Sequence, residues 1–107
     1  MAKDNRMNIA LVADGKHTVK IRESKLCKEY DAIDITFRDT EDVDIQVRLF
    51  SGYIPRFMAG VKKQSNGATA GMVSSDVINY CKTNAIDIWT SYNDSGYLQA
   101  SYFPPKA

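Results

Sequence analysis

Apolar and polar residues alternate along the first half of the chain. In residues 16–24, Val19 and Ile21 fall on one side and Lys16, Thr18, Lys20 and Arg22 on the other, the period of a half-buried strand. Residues 30–38 repeat the pattern, with Ile33, Ile35 and Phe37 against Tyr30, Ala32, Asp34, Thr36 and Arg38. Residues 43–50 repeat it again, with Val43, Ile45, Val47 and Leu49 inward and Asp44, Gln46, Arg48 and Phe50 outward. The polar link Asp39-Thr40-Glu41-Asp42 is short enough to join the second and third strands as a hairpin. The period then changes. Ile54, Phe57, Met58 and Val61 share one helical face, and Pro55 suits a first helical turn, where its missing N–H costs nothing. Gly60 weakens this helix and predicts a short one. Residues 64–71, QSNGATAG, read as a mobile loop. A second helix follows, with Ser74 or Ser75 as cap, Asp76 at its positive end, an apolar stripe of Val77, Ile78 and Cys81, and Asn84 as its stop. Residues 86–92 and 97–103 predict two closing strands around the turn Asn93-Asp94-Ser95-Gly96, and Pro104-Pro105 ends the last one. Residues 7–13 suit a strand turning at Asp14-Gly15 or a short helix ending at Gly15.

The order strand, strand, strand, helical segment, strand, strand predicts a mainly β single domain over residues 1–107. Strands that follow one another without a helix between them disfavour a parallel sheet. The order suits a five-stranded antiparallel barrel of the OB type, with its core at about 15–103 and its helical segment between strands 3 and 4. A small α+β sandwich is the alternative.

On the stretches HTVKIRE, DAIDITFRD, DIQVRLF and IDIWTSYNDSGYLQASYF, the chain resembles the small OB-fold single-stranded-DNA-binding proteins of bacteriophages and mobile elements. The resemblance covers the element order of residues 15–103. It implies binding of single-stranded DNA without catalysis or cofactor, in replication or recombination, usually by an oligomer. The chain departs from better-known members in ending FPPKA rather than in an acidic tail, and in a helical segment long for a minimal barrel.

Charge refines this picture. Among 107 residues, 14 basic and 13 acidic groups give a net charge of +1, less than bulk phosphate binding usually brings. The distribution is uneven: residues 16–30 carry a local +3, residues 31–46 a local −5 and residues 48–63 a local +4. Single-strand binding needs cations that track phosphates and flat rings on which bases stack. The outward faces supply Lys16, Lys20, Arg22, Arg38 and Arg48, interleaved with Tyr30 and Phe50. Trp89 falls on the polar side of its strand, and Tyr97 follows the last turn. The expected nucleic-acid-binding set is Lys20, Arg22, Tyr30, Arg48, Phe50, Trp89 and Tyr97. The competing reading buries Trp89 beneath a helix, and Asp34 and Asp44 share the proposed face and repel phosphate.

Other chemistry has little footing. Cys27, Cys81 and His17 fall short of a structural zinc set, and no CxxC pair occurs. The glycine-rich stretch 60–71 lacks the GxxxxGK[ST] pattern, which leaves a linker, or a loop that orders over nucleic acid through Lys62 and Lys63. Asp39, Glu41, Asp42 and Asp44 lack the glycine and distant glutamate of a calcium loop and read as a solvated turn. No enzyme signature is present. With no apolar run near 20 residues and no signal-peptide pattern, the expected location is the cytoplasm, that of the host if a phage encodes the chain. Small barrels often pair, so a homodimer is the first expectation for assembly. The rival function is a phage-encoded adaptor or inhibitor of a host factor, suggested by adjoining basic and acidic segments and exposed aromatics.

Overall fold

A computed structural model of the chain describes residues 12–105. The question of strand or helix at residues 7–13 falls, but for Val12 and Ala13, outside them. Five strands form one antiparallel sheet: β1 (Gly15–Leu26), β2 (Ala32–Asp39), β3 (Asp44–Phe50), β4 (Ile86–Tyr92) and β5 (Leu98–Ser101), in the spatial order β3-β2-β1-β4-β5. A single 3-10 turn, Ser51–Tyr53, leads into α1 (Ile54–Gln64), and α2 (Ser74–Thr83) follows before β4. Both helices thus lie between the third and fourth strands, as the change of period predicts. Among the described residues no helix is long and apolar enough to cross a membrane.

Strand β1 divides its length between two partners. Its first half, Gly15–Val19, pairs with β4, and its second half, Val19–Leu26, pairs with β2. A bulge at Arg22 interrupts the second pairing: Ile21 lies opposite Phe37, but Glu23 lies opposite Thr36. An extra residue in one strand bends it and increases its twist. The sheet curls accordingly, and Cα atoms of β3 and β5 come within 8 Å of one another. These two strands are not hydrogen-bonded neighbours, so the sheet stays open.

The bulge also sets which side chains meet water. Strict alternation from Val19 and Ile21 would turn Glu23 into the core. With Arg22 inserted, Glu23 and Lys25 instead join Thr36 and Asp34 on the outer face. The inner face carries Val19, Ile21, Ile35, Phe37, Ile45 and Ile88, each at most 3% exposed, and α1 and α2 close over it with Phe57, Val61, Val77 and Cys81. Burial pushes the Cys81 thiol up to about 12, so it stays protonated as an apolar filler.

The C-terminal segment completes this core. Tyr102 meets Phe57 edge-on, with ring centroids 4.9 Å apart, and packs beside Phe37. Its backbone presses on α1 at Gly60, where an added Cβ would lie 2.5 Å from Tyr102 Cβ and 2.7 Å from the Tyr102 carbonyl oxygen. Gly60 therefore serves close approach rather than merely weakening a helix. Gln64, at the end of α1, reinforces the contact. Its amide donates to the carbonyls of Asp87 (2.8 Å) and Tyr102 (3.3 Å), and its oxygen accepts the Asp87 N–H (2.7 Å).

Two local expectations change. Ser74 and Ser75 are the first residues of α2 rather than its cap; Val73 holds that position, and no side chain caps this N-terminal end. Asn84 does stop it, donating from its side chain to the Tyr80 carbonyl at 3.0 Å. Of residues 64–71, expected as a mobile loop, Gln64 ends α1 and 65–71 form a run of turns in which Thr69 is buried against the Ser65 hydroxyl at 3.2 Å.

Replacing Gly60 with alanine tests the seat of Tyr102. The crowded Cβ should lower unfolding stability by about 1–3 kcal/mol, even though alanine favours a helix by about 1 kcal/mol. Gly52→Ala, where the new Cβ meets nothing within 4 Å, should change it by less than about 0.5 kcal/mol. Denaturant melts of both variants measure the contrast, and equal melts would contradict the packing described.

Candidate nucleic-acid interface

The helices cover one face of the sheet and leave the other to solvent. Residues opposite one another in antiparallel strands point the same way, so the register lays this outer face out in rows. Phe50 stands beside Ala32. Arg48, Asp34 and Lys25 form the next row, then Gln46, Thr36 and Glu23, then Asp44, Arg38 and Lys20. Across β1 the rows continue with Thr18 beside Asp87, and with Lys16, Trp89 and Ser101. Of the predicted site residues, Lys20, Arg22, Arg48, Phe50 and Trp89 all fall on this face. Trp89 is half-buried and lies on the side away from the helices. Tyr30 is not in a strand; it sits in the β1–β2 loop and reaches the face from its end. Tyr97 is exposed in the β4–β5 turn.

Three of these residues meet in one corner. The Tyr30 and Phe50 rings pack edge to face, centroids 6.1 Å apart at 75°. The Arg48 guanidinium lies 5.1 Å from the Tyr30 ring centroid, within reach of a cation–π attraction. Asp34 holds the same guanidinium from the side, receiving Nε at 2.7 Å and Nη2 at 3.3 Å. That hydrogen bond is the main reason the Arg48 pKa rises above its ordinary value; partial burial opposes it.

The remaining cations are divided between paired and unpaired. Asp44 accepts from Arg22 Nη2 and from Arg38 Nε, both at 3.1 Å. Burial alone would raise the Asp44 pKa, but the hydrogen bonds from Arg38 and Arg22, with their charges, carry it below the ordinary carboxylate value. Asp87 binds the Thr18 hydroxyl at 2.7 Å and lies 3.7 Å from Lys16 Nζ. Asp34 and Asp44 thus neutralise arginines instead of standing as isolated repellers of phosphate. Lys20 and Lys25 have no carboxylate partner among the described residues. Lys25 is an addition to the predicted set. The consecutive charges Arg22-Glu23 mark a break in the alternation, but only the register with β2 shows on which side Lys25 falls. A shallow depression opens where β2 and β4 part from β1, lined among others by Lys20, Arg22, Arg38, Asp39 and Asp42.

The other candidates have local duties. In the stretch 65–72, the N–H groups of Ser65, Asn66, Gly67, Ala68, Ala70 and Met72 all donate to nearby carbonyls, and that of Thr69 to Ser65 Oγ. Little of its backbone is left to cradle a phosphate. Asp39 Oδ1 accepts the N–H groups of Glu41 (2.8 Å) and Val43 (2.9 Å), which closes the β2–β3 turn. His17 Nε2 donates to the Ala13 carbonyl at 2.8 Å.

Asp44→Asn tests the arginine pairing. The folded-state pKa of Asp44 is lowered, so its contribution is present above the unfolded value and is lost as pH falls through the folded one. At pH 7 the variant should be less stable by about 0.2–1 kcal/mol, the range of a solvent-exposed pair. The gap should close as the pH is taken below about 4. Urea melts at several pH values measure it, and a pH-independent gap would contradict the pairing. In comparisons with protein-family models, curated proteins and solved structures, the chain matches none, so the case for its function rests on this face.

Proposed function

We propose that the chain binds single-stranded DNA on the outer face of the sheet, without catalysis. One observation carries the reading: the solvent-facing side combines aromatic rings and cations, with the Tyr30–Arg48–Phe50 corner at one end, Trp89 at the other and, between them, Lys20 and Lys25, which have no carboxylate partner among the described residues. Stacking on such rings is worth about 1–3 kcal/mol per base and tolerates any sequence, because every base has a π-face. Lysines without carboxylate partners contribute by releasing condensed counterions from the strand.

The topology supports the same reading. A central strand shared between β2 and β4, a helical segment between β3 and β4, and the approach of β3 to β5 suit an OB-like barrel. Such barrels bind oligonucleotides on the face of strands 2 and 3 and with the loops after strands 1 and 4. Arg48 and Phe50 lie on that face, and Tyr30 and Tyr97 in those loops.

A second reading has its own observation. Arg22, Arg38 and Arg48 are all matched by carboxylates, which leaves a mixed-charge face of the kind that protein partners complement. That favours the adaptor or inhibitor of a host factor.

Binding of oligo(dT) separates the two. At low salt it should quench the single tryptophan and retard the chain in a gel, and both effects should weaken steeply as salt rises. Lys20→Glu with Lys25→Glu should abolish the shift. Asp44→Asn, which removes the carboxylate shared by Arg22 and Arg38 and leaves Arg22 only its 3.5 Å contact with Glu23, should tighten binding and steepen its salt dependence. Absence of a shift at low salt, with capture of a host protein that survives nuclease, would establish the second reading instead.

A further inference from the structure

Resting on the single-strand-binding reading, we infer that the Tyr30–Arg48–Phe50 corner is a guanine-reading subsite, with Asp34 as its positioning residue. A guanidinium has two edges able to donate a pair of parallel hydrogen bonds. Asp34 occupies the Nε/Nη2 edge of Arg48. The end-on edge, formed by Nη1 and the second proton of Nη2, meets no acceptor among the described residues. That edge is also held in orientation. The carboxylate fixes the group from the side, and the Tyr30 ring lies against it at 5.1 Å. A planar fork with little freedom to lose suits two acceptors about as far apart as its own nitrogens.

Guanine O6 and N7 are such a pair, and arginine paired with them is the commonest specific contact to a base. A phosphodiester offers two acceptors as well, but it has no use for the rings that flank the fork. Phe50 is 43% exposed and its cross-strand neighbour is only Ala32, so a base can lie on the ring while its Hoogsteen edge meets Arg48. Lys25 lies across the strand pairing from Asp34 and has no carboxylate partner among the described residues. It supplies the charge for that nucleotide's phosphate. The same fork discriminates against adenine and cytosine presented by that edge, with Asp34 only holding it in direction. Arg48 can only donate, and on the edge in question adenine sets an N6 amine beside N7 while cytosine presents its N4 amine, so neither offers the fork two acceptors there.

The test uses the full chain and four oligonucleotides: all-thymine, and the same strand with one central thymine replaced by guanine, inosine or 7-deazaguanine. Guanine and inosine keep O6 and N7, and each should bind about five- to tenfold tighter than all-thymine. The 7-deaza strand lacks the N7 acceptor and should fall back toward all-thymine. Arg48→Lys, which keeps the charge and loses the fork, should weaken binding of all four strands and abolish the guanine preference, so that the guanine and all-thymine strands bind alike. Asp34→Asn should reduce the preference without reducing all-thymine binding. Equal affinity for the guanine and 7-deaza strands, or a preference that survives in Arg48→Lys, overturns the inference while leaving single-strand binding intact. Failure of all four strands to bind overturns both.

Discussion

Everything about the outer face follows from the division of β1 between two partners. A strand that pairs with β4 over its first half and with β2 over its second cannot lie in a flat sheet. The bulge at Arg22 accommodates the bend and at the same time reverses the alternation. Without it, Glu23 and Lys25 would face Ile35 and Ile33 and enter the core, at a desolvation cost that no partner there offsets. With it, all the charge of β1 stays on the side away from the helices. The curl also draws β3 toward β5, and the two helices and Tyr102 fill the inner face.

The outer face is consequently crowded with charge, and its electrostatics are settled mostly within the sheet. Cross-strand register puts Asp34 beside Arg48 and Asp44 beside Arg38, and the bulged Arg22 reaches the same Asp44. Exposed pairs of this kind add only about 0.2–1 kcal/mol each to stability. Their larger effect is on shape. They hold arginine side chains in fixed directions, and they remove most of the bulk positive charge that would attract any polyanion. What remains is a small number of oriented donors, two lysines with no carboxylate partner among the described residues, and flat rings. Such a surface favours recognition at defined points over general adhesion, in keeping with a chain whose net charge is only +1.

Much of this architecture was legible in the sequence. Period-two alternation located the strands, the shift to i, i+3, i+4, i+7 located α1, and the polar link at 39–42 gave the β2–β3 hairpin. The outward positions of Lys20, Arg22, Arg48, Phe50 and Trp89 followed from the same alternation. What escaped is what depends on contacts distant in sequence. Lys25 lies past the bulge, where counting by twos fails. Gly60 looked like a helix weakness because its reason, the backbone of Tyr102, lies 42 residues away. Ser74 and Ser75 looked like caps by composition, whereas the chain enters α2 at Val73. Asp34 and Asp44 read as obstacles to phosphate until register showed each one against an arginine.

The most direct test of the account is a nuclear magnetic resonance titration of the labelled chain with a short single-stranded oligonucleotide. The account predicts that the largest shift changes cluster at Lys20, Lys25, Tyr30, Arg48 and Phe50, with the Trp89 indole following and the amides of α1 and α2 little changed. Changes concentrated on Arg56, Lys62 and Lys63 of α1, or none at saturating oligonucleotide, would contradict it.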